Sequence, residues 1–309
     1  MTKKIALVFP GQGSQSGGML AEFVKEFPHA LATFSAASDI LHYDLWDLIQ
    51  QNPEDKLNQT EYAQPALLVA SVAIWRVWLE SSGTKPLFLA GHSLGEYSAL
   101  VCAQALTFSD AVSLVADRGR YMQQAFTGQG AMVAIVGLEN DQIKEICDKA
   151  RDGEVLVPAN YNSIGQTVLS GELNAANRAV VLAKAAGAKI AKLLPVSVPS
   201  HCPLMQPAAK LLADRLQKVS INPPQIPVIH NADVCAYAEP EKIRDVLVRQ
   251  LYSPVRWVET VQFLLKQGID NIFECGPGKV LTGLNRRIDA SINLEYLGTP
   301  TNFRQALLK

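Results

Sequence analysis

No sign of charge dominates this sequence. Its 28 basic and 29 acidic residues leave a formal net charge of -1, so it lacks both the basic excess of a nucleic-acid binder and the extreme charge of a membrane-surface protein. Cysteine is scarce: the five, at 102, 147, 202, 235 and 275, make no CxxC pair and no zinc-type cluster. An odd, scattered set is the pattern of reduced thiols in a cytosolic protein, not of a disulfide framework. Long hydrophobic runs are missing too. The longest, Ala66 to Trp75, is stopped by Arg76, far short of a ~20-residue membrane span. After Lys3-Lys4, the run Ile5 to Phe9 is too short for a signal-peptide core and reads as a first strand. Glycine and proline, 20 and 17, are ordinary in number, which excludes collagen-like and low-complexity chains.

What is present is apolar: 48% of the 309 residues are hydrophobic and 18% charged, enough for a substantial core. At ~100–200 residues per domain, this length suits one large domain or a main domain carrying an insertion. The chain opens as strand, Gly-rich turn (Gly11 to Gln15) and helix, and helical patterns then run from about Ala30 to Glu80. Strand-turn-helix recurs at Leu87–Ala90, at Pro227–Asn231 before a helix over Glu241–Leu251, and at Asn271–Cys275 before a helix from Lys279. Alternation of this kind predicts an α/β fold, a parallel sheet covered on both faces. Between Gly128 and Pro195 the rhythm changes to strand (132–137), helix (140–150), strand (155–161), strand (166–170), helix (175–186) and strand (189–194). That β-α-β-β-α-β order is ferredoxin-like. The expectation is a small subdomain, 129–196, inserted in a hydrolase-like large subdomain of 1–128 and 197–309.

Gly91-His92-Ser93-Leu94-Gly95 fits G-x-S-x-G between a predicted strand and a predicted helix. A nucleophile elbow needs small flanking residues because the turn is sharp and the serine backbone strained. It lifts the hydroxyl to the top of the sheet and aims the Leu94 amide, at a helix N-terminus, toward a developing oxyanion. The same string also suits a plain helix start with Ser93 as N-cap.

A serine nucleophile needs a base, and the sequence holds five histidines. His29 and His42 sit in polar helical stretches and read as surface residues. His92 adjoins Ser93 and is better placed to line the site or pack than to face the hydroxyl. His230 ends a predicted strand, in the core or at the rim. His201, in Pro199-Ser200-His201-Cys202-Pro203 before a predicted helix, is the candidate, with a positive helix end to keep its ring neutral. Cys202 is a lesser candidate thiol; a buried, inert cysteine is the commoner case. Gln12 sits in the first turn, where a backbone N–H can serve an oxyanion hole. Gly13 is followed by Gly17, which breaks the dinucleotide fingerprint, and Gly276 to Lys279 lacks the Ser/Thr of a P-loop. Arg118 lies on the apolar stripe Ala111, Leu114, Val115, Met122 of a helix that Thr107 and Asp110 open with a cap. An inward arginine must find an anion, either an internal Asp or Glu or the carboxylate of a substrate.

GQGSQ at 11–15, GHSLGEYSAL at 91–100, Asp117-Arg118-Gly119-Arg120, PSHC at 199–202, RQLYSPVRW at 249–257 and GPGKVLTGL at 276–284 occur in this order along the chain. Together they resemble the malonyl-CoA:acyl-carrier-protein transacylases of bacterial fatty-acid synthesis, over nearly the whole length. The elbow is shared with the acyltransferase domains of modular synthases; a length without an attached carrier or ketosynthase segment suits the discrete enzyme. The resemblance implies that Ser93 is acylated, His201 is its base and Arg118 holds the malonyl carboxylate. It implies an oxyanion hole of the Gln12 and Leu94 amides, and Gln250 orienting His201 through its main-chain carbonyl, so that no triad acid is needed. His92 is expected to line the substrate site. It further implies malonyl-CoA and an acidic acyl carrier protein as partners, no cofactor, no metal and a cytoplasmic setting. Lys189, Lys192, Arg286 and Arg287 are candidate carrier contacts. The competing class is a serine esterase or thioesterase with the same elbow.

Overall fold

The computed structural model describes residues 4–196 and 198–309. Ser197, where the return to the large subdomain was expected, and Lys3 lie outside the described residues. Five strands form a parallel sheet: β1 (Ile5–Phe9), β2 (Phe88–Gly91), β7 (Val228–Ile229), β8 (Asn271–Glu274) and β9 (Asn293–Tyr296), in the order β7-β2-β1-β8-β9. β1 is central, and its unbroken apolar run has a simple cause. Ile5, Leu7 and Phe9 pack into the core on one face of the sheet, while Ala6 and Val8 join Trp257, Val261 and Leu264 on the other. Side chains alternate between faces along a strand, so a strand buried on both sides must be apolar throughout. Fully burying each large aliphatic side chain favours folding by ~1.5–3 kcal/mol.

The predicted helical region between Ala30 and Glu80 resolves into helices Leu31–Leu41, Leu45–Gln51 and Thr60–Glu80. The last, 21 residues long, is apolar enough by composition to cross a membrane, but 83% of its most apolar window is buried inside the protein. It is the central helix of the larger core. The helix Phe108–Gln124 packs across it, and Gly119 sits at the crossing: a Cβ there would stand 2.7 Å from Glu61 Cα and from the Thr60 carbonyl oxygen. That close approach brings Arg118 to the neighbouring helix.

A second sheet is separate and antiparallel. It contains β3 (Gly130–Val136), β4 (Leu156–Ser163), β5 (Gln166–Glu172) and β6 (Ile190–Leu193), in the order β4-β5-β3-β6. Helices Asn140–Arg151 and Leu173–Ala185 cover one face around Val133, Ile135, Ile143, Leu156 and Leu169. The first of them starts with a complete capping box between Glu139 and Gln142. The other face carries Met132, Ala159 and Val168 and looks into a cleft between the two sheets. Backbone bonds fasten the layers on either side of that cleft: Tyr161 N–H donates to the Val255 carbonyl at 2.9 Å, and Val255 N–H to the Ala159 carbonyl at 2.8 Å. Arg287 donates to the Gln166 side chain across the same junction.

Two elements escape sequence patterning and one is shorter than predicted. β9 is a half-exposed edge strand with no apolar run, the helix Trp257–Lys266 follows Pro254 without a clear cap, and the predicted 227–231 strand is paired only at Val228 and Ile229. His230 and Asn231 therefore lie just beyond the strand, at the carboxyl edge of the sheet.

Candidate active site

The carboxyl edge of a parallel sheet is where open α/β folds place their ligands. Here β1 leads to Gln12, β2 to His92 and Ser93, and β7 to His230 and Asn231. The cleft above has a volume of about 490 Å³, and Gln12, His92, Ser93, Leu94, Arg118 and His201 all line it.

Ser93 sits on a strained turn, with φ of 51° in the left-handed region. The helix Gly95–Cys102 starts two residues later and passes tightly over β1: a Cβ on Gly95 would lie 2.0 Å from the Phe9 carbonyl oxygen. Only glycine fits there. The Ser93 N–H donates to Asn231 Oδ1 at 2.7 Å, and Asn231 Nδ2 donates to the Gly91 carbonyl at 2.6 Å, so one asparagine ties both ends of the turn.

His201 is 3% exposed and also has a positive φ, 62°. Its Nδ1 is 2.8 Å from the main-chain carbonyl of Gln250 and its Nε2 is 2.8 Å from Ser93 Oγ. A carbonyl can only accept, so Nδ1 carries the proton and Nε2 presents its lone pair to the serine hydroxyl. Burial first, and then the nearby Arg118 charge, pull the imidazole down to about 3. For these reasons the ring is neutral at pH 7. Among the described residues, no carboxylate bonds to it.

Arg118 is 1% exposed and among the largest buried side chains. Its Nη1 donates to Gln64 Oε1 at 2.7 Å; its Nη2 reaches Gln250 Oε1 at 2.9 Å and Ser93 Oγ at 3.3 Å. Among the described residues, Nε is buried and makes no hydrogen bond. Among the described residues no Asp or Glu makes an ion pair with it, so the internal-acid alternative left open above is not what the fold builds. Burial lowers its pKa, opposed by Tyr97 and Glu96. The helix cap behind it forms as expected, with the Asp110 N–H donating to Thr107 Oγ1 at 3.1 Å.

The remaining candidates separate cleanly. Gln12 accepts from the Thr60 hydroxyl at 3.0 Å. His92 pairs through Nε2 with Asn162 of β4 at 2.8 Å, spanning the cleft, and burial lowers its pKa. His230 is fully buried, whereas His29 is at the surface beside Glu80. Cys202 is buried, donates to the Pro199 carbonyl, and has its thiol pKa raised by burial. The helix after Gly276–Lys279 offers no phosphate site, because the Glu274 carboxylate already accepts from the Leu281 and Thr282 amides. Sequence patterning missed Gln64, Glu96, Asn162 and Asn231; the polar Gln64 and Glu96 within apolar helices were the one available signal.

A strained serine on a strand-to-helix turn, an imidazole bonded to its hydroxyl and a facing buried cation form the arrangement that a serine nucleophile with a histidine base requires. The chain belongs to the acyl transferase family: the family model described as "Acyl transferase domain" matches residues 6–288. Its likeness to particular members is high. It is 52% identical over 305 residues to the malonyl CoA-acyl carrier protein transacylase of Salmonella typhimurium, across 98% of this chain and 99% of that one. The solved structure of the malonyl CoA-acyl carrier protein transacylase of Coxiella burnetii gives a TM-score of 0.98 at 53% identity, across 100% of this chain and 98% of that one. A malonyl-transacylase solved in complex with a type II PKS acyl-carrier protein gives 0.97 at 51% identity, across 99% of both chains.

Proposed function

We propose that this protein moves a malonyl group from coenzyme A to the phosphopantetheine thiol of an acyl carrier protein, through a malonyl ester of Ser93, in fatty-acid biosynthesis. The observation that carries the proposal is the double contact of Ser93 Oγ, 2.8 Å from His201 Nε2 and 3.3 Å from Arg118 Nη2. Nucleophile, base and carboxylate ligand stand within one hydrogen-bond radius.

On this reading Ser93 attacks the thioester carbonyl as Nε2 of His201 takes the hydroxyl proton. The Gln250 carbonyl, bound to Nδ1–H, holds the ring and disperses the charge it gains. Backbone N–H groups of Gln12 and Leu94 receive the oxyanion; donors of this type are worth ~2.7–4 kcal/mol each. Collapse expels the coenzyme A thiolate, which takes the proton from His201. The carrier thiol then enters, gives its proton to His201 and attacks the ester, and Ser93 leaves with that proton. This is a ping-pong cycle. Arg118 grips the malonyl carboxylate throughout, and His92 lines the substrate cleft. Side chains and backbone amides supply every step, with no role for a metal or redox cofactor. The small subdomain, 129–196, forms one wall of the cleft and the large subdomain, 1–128 and 197–309, carries the reacting groups. The cytoplasm is the compartment this reading assigns.

The test is intact and peptide mass spectrometry after incubation with malonyl-CoA, with and without holo carrier protein. One malonyl group on Ser93, lost in Ser93→Ala and discharged onto the carrier, is the expected result. An adduct on Cys202 or on no residue refutes the Ser93 assignment, and release of free malonate in place of transfer makes the protein a hydrolase.

A further inference from the structure

Behind the elbow a carboxylate is sealed from solvent. Glu96, in the first turn of the helix Gly95–Cys102, is 0% exposed. Its Oε1 pairs with His230 Nδ1 at 2.7 Å, and its Oε2 accepts from the Asn231 N–H at 2.9 Å and from Gln250 Nε2 at 2.8 Å. Among the described residues no lysine or arginine touches it. A buried carboxyl group is costly unless its hydrogen bonds are complete. An apolar residue would meet the helix's packing needs without that cost, so the partners Glu96 holds are the informative feature.

Two of them lead to the reacting groups. The Gln250 amide donates from Nε2 to Glu96 and, at 3.1 Å, to the Ser93 carbonyl, while its Oε1 accepts from Arg118. Oε2 of Glu96, which also accepts from the Asn231 N–H, fixes which end of the amide faces it and turns the amide oxygen toward the guanidinium. The other branch runs through Asn231, whose N–H Glu96 holds and whose Oδ1 receives the Ser93 N–H. The main-chain carbonyl of Gln250 serves His201, and its side chain serves Arg118; one residue joins the base to the arginine.

We propose that Glu96 is a positioning residue that sets the acyl-group preference, acting through the Gln250 amide on Arg118. Its branch through Asn231 supports Ser93 for any acyl group alike. The inference rests on Arg118 gripping the malonyl carboxylate.

The experiment compares kcat/KM for malonyl-CoA and acetyl-CoA in wild type, Glu96→Gln, Glu96→Asp, Glu96→Ala and Arg118→Ala, with Tm for each. Glutamine can keep every contact: its oxygen accepts from Asn231 and Gln250, and its NH2 faces His230, which moves its proton to Nε2, now without a partner. The malonyl-to-acetyl ratio should then stay within ~3-fold of wild type. Asp withdraws the carboxyl group from Gln250, and Ala removes it. Both should lower the ratio roughly 3- to 10-fold, the worth of one hydrogen bond, beyond any loss common to both substrates. If Ala does not fold, Asp carries the reading. Equal losses for both substrates in Asp and Ala, with the ratio collapsing only in Arg118→Ala, overturn the proposal. Glutamine as poor as alanine overturns the hydrogen-bond route. An unchanged ratio in Arg118→Ala overturns the carboxylate grip instead, so the two failures are distinct.

Discussion

Replacing Arg118 with alanine should cost malonyl transfer and spare acetyl transfer. The guanidinium is 1% exposed, so a carboxylate meeting it is desolvated and charge-assisted. Such a contact is worth ~1.5–3 kcal/mol, or roughly 10- to 150-fold in kcat/KM. The Nη2 that approaches Ser93 is the donor at hand, which places the carboxylate beside the nucleophile. Acetyl-CoA has no carboxylate and serves as the internal control. The substitution also leaves Gln64 Oε1 and Gln250 Oε1 without their donor, which costs stability, but it removes a buried charge that burial already disfavours. The two effects oppose, so Tm is measured alongside. Lysine at 118 should rescue partly, because a point charge cannot reproduce the planar fork. The assay is the malonyl-to-acetyl ratio of kcat/KM in wild type, Arg118→Ala and Arg118→Lys. Equal slowing of both substrates would show that Arg118 only holds the fold together, and the grip would be abandoned.

His201, held down to about 3, stays an unprotonated base well below the usual histidine range, so the kcat/KM of Ser93 acylation should show no acid limb near pH 6.5; a limb there in a pH–rate profile refutes it. Stability behaves differently: the unfolded imidazole binds a proton below about 6.5 that the folded one refuses, so His201's contribution should be lost as pH falls from that point toward 3, visible as a reduced Tm that His201→Gln attenuates. Lys189, Lys192, Arg286 and Arg287 are exposed, though Arg287 also holds Gln166. If they contact an acidic carrier, its KM should rise with salt as the Debye length shrinks from ~10 Å at 0.1 M to ~3 Å at 1 M, and a salt-insensitive KM counts against them.

Much of this protein is written locally. The elbow at 91–95 follows from two glycines around a serine, the β-α-β-β-α-β insert from a change of periodicity, and the inward face of Arg118 from helical spacing, since each depends on residues within a few turns of one another. Gln250 was reached through family resemblance alone; its residue type in a polar helix end carries no mark of its place. Gln64, Asn231 and Glu96 carry still less. Their meaning comes from contacts across 54, 138 and 154 positions, made where β2, β7 and two helices end together above the sheet. Tertiary structure also decided that Arg118 meets amides rather than an acid, and that His201 is kept neutral chiefly by burial. Turns and periodicity are short-range and legible in one dimension. The electrostatics of a buried site depend on which distant groups share its small volume, and only the folded chain brings those groups together.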